Sequence, residues 1–130
     1  MIKKLIAILA LVTSSAYANP ALTAQAWLVA DSNGKILEGS NMTEVRSIAS
    51  ITKLMTAMVV LDSGQSLTEI IPKKLYNKQL TRETLIDLAI VKSDNNAAKM
   101  LCDYYPGGYN SCIDAMNQKA VALQMINSTF

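Results

Sequence analysis

The segment 48–61 constrains this fold more than any other. It is apolar nearly all round, with Ile48, Ala49, Ile51, Leu54, Met55, Ala57, Met58, Val59, Val60 and Leu61. A helix without a polar face cannot turn one side to water, so neighbouring elements must wrap it. The pattern predicts a central helix over 48–61. Asp62-Ser63-Gly64 ends it, glycine being the usual residue just past a helix C-terminus. The few polar side chains on this helix are Ser50, Thr52, Lys53 and Thr56.

The rest of the chain supplies the wrapping. Residues 26–30 and 35–39 read as two strands joined by a turn at Asp31-Ser32-Asn33-Gly34, with Asn-Gly as the strongest turn signal. One hairpin is not stable in water alone and needs a covering element. Residues 65–80 read as a loop with short pieces such as Ile70-Ile71-Pro72. Thr81 reads as an N-cap, and Leu85, Leu88 and Ala89 come after it at helical spacing, predicting a helix over 82–91. Ser93-Asp94-Asn95 interrupts it, and a helix resumes over 96–104. Pro106-Gly107-Gly108 breaks the chain again. Asn110 or Ser111 then caps a last helix with Ile113, Met116, Ala120 and Leu123 on one face. The expected class is α+β: the hairpin with a helical cluster over about 45–126 packed on it.

Residues 1–18 read as a signal peptide. Lys3 and Lys4 make a basic start, Leu5 to Val12 a short apolar run, and Ala16-Tyr17-Ala18 a small-x-small cleavage site. The apolar run is far shorter than the roughly 20 residues a membrane span requires. An uncleaved anchor is the alternative. Cleavage after Ala18 leaves residues 19–130 as one domain, placed in the periplasm without a transmembrane span. The chain has 12 Lys and Arg against 10 Asp and Glu, and two of the lysines lie in the leader. Residues 19–130 are therefore near neutral, which argues against nucleic acid as a partner. Histidine is absent. That excludes a Ser-His-Asp triad, a Cys-His pair and histidine metal sites within this chain. Cys102 and Cys112 are too few for a thiolate metal site. In an exported chain they fit a disulfide, with Pro106-Gly107-Gly108 able to fold the chain back between them; two separate buried thiols are the alternative.

Ser50 and Lys53 stand three apart, which puts both on one helical face. A serine hydroxyl becomes a useful nucleophile only when a base takes its proton. An amine kept among apolar side chains holds its own proton less firmly and can serve as that base. Ser50 also lies at the start of the helix, where a backbone N–H has no partner inside the helix and can face a developing oxyanion. Taken singly, each motif has a plainer reading. A Ser–Lys pair is common on helices, and Ser93-Asp94-Asn95 is also what a helix cap requires.

Together they form a set. S-x-x-K with S-D-N, completed by K-T-G, is the signature of penicillin-binding proteins and class A β-lactamases. The stretch from Val45 to Met58 resembles the active-serine segment of the low-molecular-mass penicillin-binding proteins, a family of D-alanyl-D-alanine endopeptidases and carboxypeptidases, and most of all their periplasmic D-alanyl-D-alanine endopeptidases. Thr81-Arg82-Glu83 through Ala98 resembles their second-motif segment. Tyr105-Pro106-Gly107-Gly108-Tyr109 and Ala115 to Ala120 resemble the next stretch of those proteins. The resemblance implies a β-lactamase-like (transpeptidase-like) fold and a serine D-Ala-D-Ala peptidase acting on peptidoglycan peptides in cell-wall proteolysis. It implies Ser50 as the nucleophile, Lys53 as its base and Ser93 as the group that passes a proton to the leaving amine. Asn95 would bind the substrate amide and help position Lys53. β-Lactams would acylate the same serine, and neither metal nor organic cofactor is implied.

No Lys-Thr-Gly lies within the 130 residues. In the family that motif binds the substrate carboxylate, and its strand supplies a second oxyanion donor. The expectation is an incomplete fold, truncated toward the C-terminus, with weak or no turnover. The missing strands would leave the hairpin edge and the 48–61 helix partly uncovered. A second chain could supply that half. The competing reading is a non-catalytic relative: a binding or interaction module, or a gene remnant. A β-lactamase is disfavoured, because class A enzymes deacylate through a glutamate placed after S-D-N, and the last glutamate here is Glu83.

Overall fold

The computed structural model describes residues 22–130. The predicted leader, its cleavage after Ala18 and the start at Asn19 lie outside the described residues. The chain divides into two units, Met1–Met42 and Thr43–Phe130. Among the described residues the architecture is α+β: a two-stranded hairpin and four α-helices. No helix among the described residues is long and apolar enough to cross a membrane.

In the first unit, strands β1 (Trp27–Ala30) and β2 (Ile36–Ser40) pair antiparallel, Trp27 opposite Ser40 and Val29 opposite Glu38, with an irregularity between Val29 and Ala30. The turn is longer than its Asn-Gly pair. The Asp31 N–H donates to the Lys35 carbonyl (2.9 Å), and Asp31 Oδ1 accepts from the N–H groups of Asn33 and Lys35, both at 2.9 Å. Gly34 takes the left-handed conformation (φ +81°) that this loop requires.

The second unit is helical. A 3₁₀ turn over Ala49–Ile51 leads into α1 (Thr52–Asp62). The predicted helix of 48–61 therefore starts with a tighter turn, and Ala49 within that turn has φ 46°, outside right-handed helical space. Helix α2 (Arg82–Val91) begins after Thr81, whose hydroxyl accepts the Thr84 N–H (3.2 Å), as an N-cap does. Helix α3 (Asn95–Asp103) is capped by Asp94, whose Oδ1 accepts the N–H groups of Asn96 (2.8 Å) and Ala97 (3.0 Å). Helix α4 (Tyr109–Ala122) comes directly after Gly108 with no side-chain cap, so neither Asn110 nor Ser111 caps it; both lie inside its first turn. At the preceding Gly107 (φ +85°) a Cβ would collide with the Ser111 hydroxyl. On α4, Met116 and Ala120 are buried as expected and Ile113 partly so. Leu123 is not on the core face. It is the C-cap residue, past the last helical turn, and it is exposed.

Two apolar clusters share α1. Val60 joins Ile71, Leu75, Leu85, Ala89, Ala97, Met100 and Leu101; Met55 and Val59 join Cys102, Cys112, Met116 and Ala120. The 65–80 segment thus contributes two core residues, Ile71 and Leu75. It is fastened by Ile71 N–H to the Leu80 carbonyl (2.9 Å) and by an Ile70–Thr81 bridge. Cys102 and Cys112 are bonded to each other (S–S 2.03 Å), tying α3 to α4 inside the second cluster. Arg82 is also buried. Its guanidinium reaches Glu69 Oε2 (2.6 Å), the Ser66 carbonyl (3.3 Å) and the Tyr104 carbonyl at the end of α3 (3.5 Å). A buried charge is tolerated only when donors and charge are matched in this way.

Helix α1 is central but not wrapped. Leu54, Met58 and Leu61 remain exposed, as does Ile51 in the 3₁₀ turn before it. The all-round apolar pattern overstated its burial. The expectation that part of it stays uncovered describes it better.

Candidate active site

Lys53 belongs to the first turn of α1 and is only 7% exposed. Its burial leaves Nζ two hydroxyl partners. Nζ lies 3.0 Å from Ser50 Oγ, one turn back along the chain, and 3.1 Å from Ser93 Oγ, 40 residues on. Among the described residues no carboxylate forms an ion pair with it. The ammonium of a buried lysine is costly without partners, so these two hydroxyls are what hold it in place.

Both hydroxyls are presented by unusual backbone. Ala49, just before Ser50, and Ser93 itself have φ of 46° and 54°. Non-glycine residues in the left-handed region cost of order 1–3 kcal/mol each and concentrate at functional sites. Ser93 holds the sharp corner after α2, where the Asp94 N–H folds back to the Leu88 carbonyl (3.0 Å). Glycine is the usual residue in such a conformation. A serine there trades backbone ease for a hydroxyl aimed at Lys53.

The middle residue of the corner, Asp94, performs the capping that any of the three could have done. Its carboxyl is held below the ordinary carboxylate value, first by the hydrogen bond from the Tyr76 hydroxyl, then by the Ala97 N–H, with a smaller contribution from the Lys53 charge. The same hydrogen bond raises the Tyr76 phenol above its ordinary value.

Ser50, Lys53 and Asn95 line one cleft of about 490 Å³. Asn95 is the first residue of α3. It makes no hydrogen bond to Lys53 in this structure; Ser93 fills that position instead. Sequence reasoning missed the far wall. Lys99 and Tyr109 line the same cleft, the Lys99 Nζ lying 5.2 Å from the Tyr109 ring centre and bonded to both carboxylate oxygens of Asp103 (2.6 and 2.8 Å). The Lys99–Asp103 spacing of four was the available signal. Nothing in the sequence linked it to Ser50. Cys102 and Met116 also line it, so the disulfide borders the cleft. Among the described residues no cluster of three or more Cys, Asp or Glu could hold a metal ion.

The arrangement can move a proton between two hydroxyls through one amine. Comparison with known proteins finds relatives named for peptidase activity. The family model described as D-alanyl-D-alanine carboxypeptidase matches residues 13–76 and 68–130. A D-alanyl-D-alanine endopeptidase of Pseudomonas aeruginosa is 43% identical over 118 residues, covering 79% of this chain and 38% of the relative. One of Escherichia coli K12 is 38% identical over 126 residues, covering 85% and 41%. The D-alanyl-D-alanine carboxypeptidase DacC of Escherichia coli K12 is 30% identical over 138 residues, covering 85% and 34%. The chain thus spans about two fifths or less of the length of these relatives.

Proposed function

Since this chain belongs to the D-alanyl-D-alanine carboxypeptidase family, we propose that it carries the acylating half of a serine D-Ala-D-Ala peptidase acting on peptidoglycan peptides. One observation carries the reading: a buried lysine amine held between two serine hydroxyls, 3.0 and 3.1 Å away. In the neutral form Lys53 accepts the Ser50 proton across the same 3.0 Å. The freed Oγ bonds to the carbonyl carbon of the D-Ala peptide, and the oxyanion faces the Ser50 N–H at the helix start. The proton passes from Lys53 through the Ser93 hydroxyl to the leaving nitrogen as the C–N bond breaks. Water then releases the acyl group from Ser50. Asn95, on the cleft wall, is suited to bind a peptide amide of the substrate. β-Lactams would acylate the same oxygen. The fold proposed is the corresponding part of the β-lactamase-like (transpeptidase-like) architecture.

We place the action in the periplasm, on the basic, apolar and small-residue pattern of residues 1–18. N-terminal sequencing of envelope material should begin at Asn19; intact Met1 in the cytoplasm would overturn the location.

Fluorescent penicillin with peptide mapping tests the chemistry. A protein of these 130 residues alone lacks Lys-Thr-Gly, so labelling of Ser50 should be slow. Adding a fragment that bears the Lys-Thr-Gly strands should speed it. Lys53→Ala should slow it roughly 10²–10⁴-fold, as loss of a general base does. Label that persists in Ser50→Ala would show that the nucleophile lies elsewhere. Failure to label even with the fragment present would favour a non-catalytic relative.

A further inference from the structure

We propose that Tyr76 is a positioning residue for the Ser93–Asn95 corner, acting through the Asp94 carboxylate. The proposal rests on the roles proposed for Ser93 and Asn95, and it adds a residue that neither motif contains.

Tyr76 occupies a tight turn whose roots, Leu75 and Lys78, exchange backbone hydrogen bonds of 2.9 and 3.0 Å. Both central residues are left-handed, Tyr76 with φ 53° and Asn77 with φ 63°. Such turns favour Asn, Asp and Gly. Asn77 fits that preference, whereas a bulky aromatic residue at the first central position does not. Packing does not explain the tyrosine either, since it is 62% exposed. Its hydroxyl does have a partner. It donates to Asp94 Oδ2 at 2.5 Å, 18 residues along the chain.

That bond completes a grip on Asp94 from two sides. Oδ1 faces the first turn of α3, where it accepts the Asn96 and Ala97 N–H groups. Oδ2 faces the turn and accepts Tyr76. The turn itself is anchored, because Leu75 is buried in the cluster that holds Ile71 and Leu101. A fixed arm therefore reaches from the core to the residue that separates Ser93 from Asn95. Ser93 needs such an arm: it is held left-handed, and in that conformation its hydroxyl lies 3.1 Å from Lys53. The helix cap alone would leave Oδ2 to water and the corner braced on one side.

Tyr76→Phe removes the hydroxyl and keeps the ring and turn. NMR of wild type and variant, with and without penicillin, separates the possibilities. The groups facing Asp94 are the Tyr76 hydroxyl, the Asn96 and Ala97 N–H groups and the more distant Lys53 charge. Losing the first of these should move the Asp94 carboxyl titration upward, toward its ordinary value of 3.8. The α3 first-turn amides should stay protected. The Ser93 and Asn95 signals should shift and broaden, reporting a corner that samples a second position. Where Ser50 labels, its rate should fall roughly three- to tenfold, the range one hydrogen bond supplies. Asp94→Asn keeps a capping oxygen and should disturb the same two signals. Unchanged Ser93 and Asn95 signals in Tyr76→Phe would overturn the proposal, even if the Asp94 titration moves, because Tyr76 would then only serve the cap. These signals decide the matter whether or not Ser50 proves to be the nucleophile, which Ser50→Ala tests separately.

Discussion

The hairpin and the helical unit both carry large aliphatic side chains, and they use them differently. In the helical unit Val60, Ile71, Leu85 and Leu101 are fully buried. In the hairpin Leu28, Val29, Ile36 and Leu37 remain 47–61% exposed. The strands form all the same, held by their ladder and by the Asp31 turn. Local chemistry can therefore draw an element that its own packing does not support. In the helical unit, burial does most of the stabilising, at roughly 25 cal/mol for each Å² of apolar surface removed from water.

The largest expected effect tests that contrast directly. Leu101→Ala empties a fully buried site that neighbours Leu85 and Met100. It should cost about 2–5 kcal/mol, the range for a leucine truncated in a packed core. Leu37→Ala, at a side chain 61% exposed, should stay within about 0.5 kcal/mol. Urea titrations of both variants give the comparison. Equal losses would mean that the hairpin leucine is as deeply engaged as the core one.

The second effect concerns the covalent tie. The Cys102–Cys112 bond closes a short loop, at a sequence separation of 10. The chain-entropy account gives about 2–3 kcal/mol for a loop of this length. Both cysteines are also buried, at 3% and 0% exposure. Cys102→Ser with Cys112→Ser should therefore lower stability by at least that amount, and the α3–α4 amides should lose protection first. Protection lost first in the hairpin would contradict the assignment of this bond to the helical core.

Features set by neighbours along the chain were legible in the sequence. The helix at 82–91 comes from Thr81 and the spacing of Leu85, Leu88 and Ala89, and it appears with those bounds. The Ser50–Lys53 contact comes from a spacing of three. Features set by distant partners were not legible. Nothing in the sequence marks Arg82 as buried; its burial depends on Glu69, Ser66 and Tyr104 being brought around it. Ile71 and Leu75 read as loop residues, because no period runs through them. Ser93-Asp94-Asn95 could be read as a cap, but which residue capped could not. Asp94 took the role, and that left Ser93 free to turn left-handed toward Lys53. The exposed face of α1 was hidden for the opposite reason. Leu54, Met58 and Leu61 are as apolar as the buried face, so composition alone cannot tell the two apart.

The smallest effect belongs to the hairpin and sharpens the contrast from its weak side. Asp31 Oδ1 accepts two N–H groups, those of Asn33 and Lys35, both in water-exposed positions. Exposed hydrogen bonds exchange readily with water, so each adds little, toward the low end of about 0.5–1.5 kcal/mol. Asp31→Ala keeps the main-chain bond from the residue 31 N–H to the Lys35 carbonyl and removes only the side-chain pair. The strands should persist but open more often. Amide exchange at Val29 and Glu38, which face each other across the ladder, should quicken roughly two- to fivefold. The Leu85 amide, inside the helical core, should exchange as before. A matching acceleration at Leu85 would mean that the turn and the core open together, and the difference between the two regions would then be one of exposure and not of stability.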